Sequence, residues 1–167
     1  AYLEEAKKMS MSNQKLVNQI NILLGESYYY LRMYDQSDHA FEELLKQDPD
    51  NEHVLNNYSY FLSLRKEKLD KAKAMSFRLI QKYPDNPTYL DTYAWVLYNL
   101  KDYQEALIYI KKAVLNTVNG AVLEHYGDIL FQLGKKEEAL EQWKKAKLAG
   151  EASDGIDKKI TDQKLYD

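Results

Sequence analysis

Cysteine is absent from the 167 residues, and proline and glycine are scarce, at 3 and 6. Without thiols there is no disulfide, no thiolate metal site and no cysteine nucleophile, and the absence suits any compartment. So little proline and glycine leaves small room for long irregular loops. An excess of positive charge is missing too. The 23 Lys and Arg against 26 Asp and Glu give a net charge of -3. That argues against a nucleic-acid or anionic-membrane binder, because phosphate recognition needs clustered cations. No apolar run approaches the roughly 20 residues that span a bilayer, so direct membrane insertion is not expected.

Sites for chemistry are lacking as well. The three histidines, His39, His53 and His125, lie far apart with no partner at metal-ligand spacing, so no metal is expected. No glycine-rich loop could cradle a phosphate, and no cofactor is expected. Acidic pairs such as Glu42-Glu43 and Glu137-Glu138 read as solvated helix faces. The sequon Asn57-Tyr58-Ser59 reads as chance, because Ser59 holds a packing position. With nothing to carry a reaction, the chain is not expected to be an enzyme.

What the sequence does have is 15 tyrosines and a repeat. Bulky–small pairs stand at Leu24-Gly25, Tyr58-Ser59, Tyr93-Ala94 and Tyr126-Gly127, spaced 34, 35 and 33 residues apart. Three residues after each small member comes a large one: Tyr28, Leu62, Leu97 and Leu130. A second set of small residues follows at Ser37, Ala72, Ala106 and Ala139. Four residues later stand Phe41, Ser76, Ile110 and Trp143. Pro49 and Pro84 close the first two units, with Val118 in that place in the third. Apolar residues at helical spacing, such as Leu55, Tyr58 and Leu62 or Leu90, Tyr93 and Leu97, mark the buried face of the first helix in a unit. In Pro84-Asp85-Asn86-Pro87 one helix ends, Asn86 can cap the next, and Pro87 fits its first turn. A lone hairpin cannot cover both its apolar faces, so the units must stack.

The pattern resembles the tetratricopeptide repeat (TPR) family, over roughly residues 18 to 153. Three departures stand out: Asn21 for a bulky residue, Ser76 for an aromatic, and one extra residue within Leu64–Lys68. The resemblance implies an all-α fold, a right-handed superhelical array of antiparallel helix hairpins. The expected division is a remnant second helix plus linker at 1–17, repeats at 18–51, 52–86, 87–119 and 120–153, and a capping helix at 154–167. Expected helices run over 1–9, 13–32, 35–47, 51–64, 68–82, 87–100, 102–117, 120–133, 135–149 and 154–166. In the last, Ser153 or Asp154 should cap. Ile156 and Ile160 should cover the end of the stack, while Asp157, Lys158, Lys159 and Asp162 face water. Residues 1–8 read as a helix interior rather than a signal peptide, so a fragment or processed product is expected. Asn56–Tyr60 and Tyr89–Trp95 are close to units of bacterial TPR proteins, often exported ones. Cytoplasmic and exported locations both remain open.

The resemblance further implies a concave face lined by the first helix of each unit. Carried over position by position, the groove holds Glu26, Tyr29, Tyr30, Asn56, Tyr60, Asp91, Trp95, Tyr98, Asn99, Glu124, Asp128 and Phe131. Leu64 is set apart by the inserted residue. Spacing supports the set on its own: Asp91, Trp95 and Tyr98 share a helix face away from the Leu90-Tyr93-Leu97 stripe. Six of the positions are aromatic, four are acidic and none is Lys or Arg. Aromatics not needed by a core are the usual anchors of protein recognition. The expected function is a protein-interaction scaffold that holds a basic or apolar peptide or helix. The alternative is a spacer or self-association module that packs against another copy. The best-known groove of the family clamps a chaperone tail's carboxylate with Lys, Arg and Asn. Here Asn56 and Asn57 have no cation beside them, so that ligand is not expected.

Overall fold

The structure, a computed structural model, describes residues 2, 4, 5 and 14–166. Tyr2, Glu4 and Glu5 are helical, and the rest of the helix expected over 1–9 lies outside the described residues. Nine further helices make up the regular structure among the described residues, with no strand. They are α1 (Gln14–Tyr30), α2 (Tyr34–Gln47), α3 (Glu52–Arg65), α4 (Leu69–Lys82), α5 (Pro87–Asn99), α6 (Tyr103–Leu115), α7 (Gly120–Gln132), α8 (Lys136–Ala149) and α9 (Ile156–Asp162). Consecutive helices pair as α1–α2, α3–α4, α5–α6 and α7–α8, and each hairpin stacks on the next. The first helices also touch one another, α3 on α5 and α5 on α7. The result is an all-α helical-repeat solenoid, as the repeat implies.

Asparagine sets three of the starts. The Asn51 side chain accepts from Val54 N, Asn86 from Thr88 N and Tyr89 N, and Asn119 from Ala121 N and Val122 N. Each bond satisfies amides that the first turn leaves open, worth typically about 1 kcal/mol. Within each hairpin a three-residue turn follows, with the middle residue left-handed at Arg32, Lys101 and Gly134. The second hairpin differs because of its extra residue. There α3 continues to Arg65, and Lys66 and Lys68 both turn left-handed.

Small residues let the paired helices close. A Cβ on Gly25 would lie 2.9 Å from two ring carbons of Phe41. On Gly127 it would overlap the Trp143 indole. Where the small residue already has a Cβ, at Ser59 and Ala94, the position that Phe41 and Trp143 hold in the other units is taken by Ser76 and Ile110. Ser76 is fully buried and its hydroxyl donates to Ala72 O at 2.7 Å. The aromatic departure there is therefore a satisfied polar contact.

Three buried clusters run along the stack, and each crosses hairpin boundaries. Phe41, Tyr58, Leu62 and Leu79 centre the first; Tyr93, Leu97, Ile110 and Ile129 the second; Leu130, Trp143 and Ile156 the third. Ile156 and Ile160 pack on that last cluster, as their spacing suggests. The helix carrying them is shorter than expected, and its N-cap is Gly155 with no side-chain bond. Neither Ser153 nor Asp154 caps it. Ser153 instead donates through its backbone N and its hydroxyl to Glu124, at 2.7 and 2.6 Å. A second expectation also fails. Lys159 does not face water: its side chain is 11% exposed and is drawn inward by two carboxylates.

Candidate partner-binding groove

On the face formed by the first helices, an open cavity of about 650 Å³ lies between α3, α5, α7 and the C-terminal segment. Tyr60 and Leu64 contribute from α3 and Trp95 from α5. Glu124, His125 and Asp128 contribute from α7, and Ser153, Lys158, Lys159 and Tyr166 from the tail. The inserted residue after Leu64 does not remove it from the face; Leu64 lines the cavity and is 41% exposed.

Trp95 stands in a stack of rings. Tyr98 lies parallel to it at 4.5 Å and His125 at 3.9 Å. Tyr98 is one helical turn along α5, so the periodicity of one helix makes half the stack. The other half comes from the next repeat. His125 is buried, and its Nδ1 lies 2.9 Å from Asp91 Oδ1. Burial disfavours the imidazolium, but Asp91, with Asp128 and Glu124 nearby, outweighs it and raises the His125 pKa. Burial, with Asp91 close by, lifts the Tyr60 phenol to about 12.

The acidic groups are already engaged. Lys159 Nζ lies 2.8 Å from Glu124 and 2.7 Å from Asp128, and Trp143 Nε1 donates to Asp128 at 2.8 Å. Burial pushes the Asp128 pKa up in spite of Lys159. Burial also acts upward on Glu124, but Lys159 and the Ser153 bonds prevail and hold it below the ordinary value. Glu26, on α1, is taken by His53 at 2.9 Å and by Asn57 at 2.8 Å.

The structure therefore gathers Tyr60, Trp95, Glu124 and Asp128 at one cavity, with Asp91 and Tyr98 backing it. Asn99 donates to Trp95 O at 2.9 Å, which ties it to its own helix. Tyr29 and Tyr30 form a separate aromatic group on Phe61, with Tyr29 stacked at 3.8 Å. Asn56 bonds Asn57 and lines a smaller hollow with His53, Asn86 and Tyr89. Phe131 stacks on Trp143 at 5.6 Å and belongs to the packing of the last hairpin. Trp95 Nε1 and Asn56 Oδ1 are buried without a hydrogen-bond partner among the described residues. His125 and Lys159 are what position-by-position reading misses. His125 falls outside the carried-over positions, and its partner Asp91 stands 34 residues away in another repeat. Lys159 comes from a segment with no repeat pattern. Among the described residues no cluster suits a metal ion, and no helix is long and apolar enough to cross a membrane.

Two family models match. The tetratricopeptide-repeat model covers residues 22–51, and that of the anaphase-promoting complex, cyclosome, subunit 3, covers 65–146. A TPR repeat-containing protein of Methanocaldococcus jannaschii is 26% identical over 163 residues, spanning 86% of this chain and 29% of its own length. Another from Pseudomonas aeruginosa is 23% identical over 142 residues, spanning 76% of this chain and 24% of its own. The chain thus spans under a third of the curated relatives it matches. Among solved structures, a thermophilic TPR protein of Thermus thermophilus superimposes with a TM-score of 0.77 at 21% identity, over 87% of this chain and 80% of that one. At that identity the likeness speaks for the fold.

Proposed function

Since the chain belongs to the tetratricopeptide-repeat family, a fold of protein-interaction scaffolds, we propose that it holds a segment of a protein partner against the wall made by Tyr60, Leu64 and Trp95. The observation that carries this reading is an open cavity with an aliphatic and aromatic wall, of which Leu64 and Trp95 belong to none of the three buried clusters and only Tyr60 also packs on one. A partner's apolar side chain fits there, and rigid aromatics bind at small entropic cost.

The carboxylates act differently from simple attraction. A Lys or Arg of the partner meets Glu124 and Asp128 only by displacing Lys159, so basic partners compete with the tail. Apolar contact therefore supplies most of the affinity, and charge tunes it.

Leu64→Asp tests the reading, because Leu64 is on the wall yet outside the stack of rings. A partner captured with the parent chain is titrated by calorimetry against the variant. The expected result is an unchanged melting temperature and a loss of affinity of about 30-fold, or about 2 kcal/mol. Equal affinity in a folded variant sinks the proposal.

A further inference from the structure

The ring that walls the groove is fastened to the next repeat through a group that can lose its charge. Trp95 of α5 stacks on His125 of α7 at 3.9 Å, with the planes 16° apart. The same imidazole reaches back to α5 with Nδ1, 2.9 Å from Asp91 Oδ1. Both partners are buried, each 9% exposed. One side chain thus joins α7 to α5 twice, once by ring contact and once by a polar bond.

Every element packed around His125 brings a titratable or charged group. From α3 comes Tyr60, whose ring lies 6.4 Å away and whose phenol, lifted to about 12, stays neutral. From α5 comes Asp91, from α7 Glu124 and Asp128, and from the tail Lys159. Lys159 answers Glu124 and Asp128. That leaves His125 as the one cation bonded to Asp91 among the described residues.

The two charge states of His125 differ in what they hold. An imidazolium over an indole face is attracted by the ring quadrupole, and it offsets the buried Asp91 carboxylate. A neutral imidazole can still donate one hydrogen bond to Asp91, but the cation–ring attraction is gone. A buried anion is then left without a counter-charge, close to two further carboxylates. The same carboxylates raise the His125 pKa in spite of burial, so the exchange of states falls above the ordinary value near 6.5.

We propose that the Asp91–His125 pair is a proton-operated latch on the partner-binding wall: with the proton in place it clamps Trp95 against α7, and loss of the proton lets the ring open. A clamped ring receives an apolar side chain at smaller entropic cost than a mobile one. The groove therefore holds its partner on the acid side of the His125 titration and loosens its hold on the alkaline side. The latch matters to a partner because Trp95 is part of the proposed seat, but the readout below is the ring itself, so seat and latch can fail separately.

Trp95 supplies the probe. Its Nε1 is buried with no hydrogen-bond partner among the described residues, so exchange of the indole proton with water reports opening of the stack. The full chain, isotope-labelled, is followed by NMR from about pH 5.5 to about pH 8.5 at constant ionic strength. Protection of the Trp95 indole proton is taken relative to a free indole at each pH. The expected result is one curve for the His125 imidazole and the Trp95 indole, with protection falling roughly tenfold across it. His125→Gln should show the low protection at every pH, and Asp91→Asn should move both curves to lower pH together. The Trp143 indole, which donates to Asp128, reports that carboxylate and is the internal control. A Trp95 indole that ignores the His125 titration, or a pH response that survives in His125→Gln, overturns the proposal. So does a response shared equally by both indoles, which assigns the effect to Asp128. Should His125→Gln not fold, Asp91→Asn decides alone: an unmoved Trp95 curve in that variant is equally fatal.

Discussion

At Gly127 the absence of one carbon sets how closely α7 and α8 approach. A Cβ there would overlap the indole of Trp143, which is fully buried, and lie 3.1 Å from Ala139 O. The flat ring cannot swing aside in a filled core, so Gly127→Ala should cost about 1–3 kcal/mol by overpacking, despite the better helix propensity of alanine. Chemical denaturation checks this; a stabilised variant would mean the indole moves freely. Ala106, buried between α5 and α6, makes the matching case, and Ala106→Leu should lose a similar amount. These positions were legible in the sequence because volume repeats with the period of the units. The pairing of His125 with Asp91 was not, since it joins residues 34 apart in different repeats and neither fits a ligand spacing. That pair makes stability depend on pH. The folded-state pKa of His125 is raised above its ordinary value near 6.5, so its contribution is complete below that value and is lost as pH rises through the higher folded value. Tyr60, at about 12, does not titrate in that window, and Glu124, held below its ordinary value, titrates on its acidic side. The melting temperature should therefore fall between pH 6 and pH 8 in the parent and fall less in His125→Gln. Identical slopes in the two proteins would remove the imidazolium from the account.

Among the elements, α9 departs most from what its sequence suggests. The other eight helices begin and end within about two residues of the expected bounds, because Asn caps, small residues and turns recur in register. The tail has no second copy of itself to align with. Its apolar stripe was readable, but its polar face looks solvated unless one knows that Glu124 and Asp128 lie beneath it. The side chains of these two acids are 6% and 5% exposed, and Lys159 is the cation between them. Replacing that lysine by methionine keeps the stem and removes the charge, which leaves two buried carboxylates without a counter-ion. Breaking a buried pair in this way costs about 3–5 kcal/mol. Lys159→Met should thus melt much lower than Lys158→Met, whose side chain is exposed over Tyr166. Its deficit should shrink as pH is lowered toward 4, where protonation relieves the repulsion. A deficit that stays constant with pH would point to lost packing instead. The groove was partly legible for a related reason: Tyr60, Trp95, Glu124 and Asp128 follow the repeat, whereas what closes one side of the cavity does not.

For the whole molecule, the decisive feature is that each buried cluster crosses hairpin boundaries. No hairpin holds a closed core, so stability resides in the junctions between neighbours, as in a one-dimensional stack. The first junction has an unusual bond. Asp38 on α2 receives Arg65 from α3 and Lys68 from the turn that follows, each at 2.7 Å, and the Arg65 guanidinium also lies over the Tyr34 ring. This is where the extra residue of the second repeat is used: it lengthens α3 by Arg65 and reshapes the turn that presents Lys68. The side chain of Arg65 is only 6% exposed, so Asp38→Ala would leave a buried cation with only the more distant Glu67, at 3.6 Å, as counter-ion, at a cost toward the lower end of about 3–5 kcal/mol. If coupling is between neighbours, the loss is local. Amide hydrogen exchange in Asp38→Ala should speed up across α1 and α2, to a smaller degree in α3, and hardly at all in α6, α7 and α8. If the stack unfolds as one cooperative unit, all helices lose protection together and by the same free energy. The two patterns are distinguishable within one experiment, because α6 to α8 share no contact with Asp38 and serve as the internal reference.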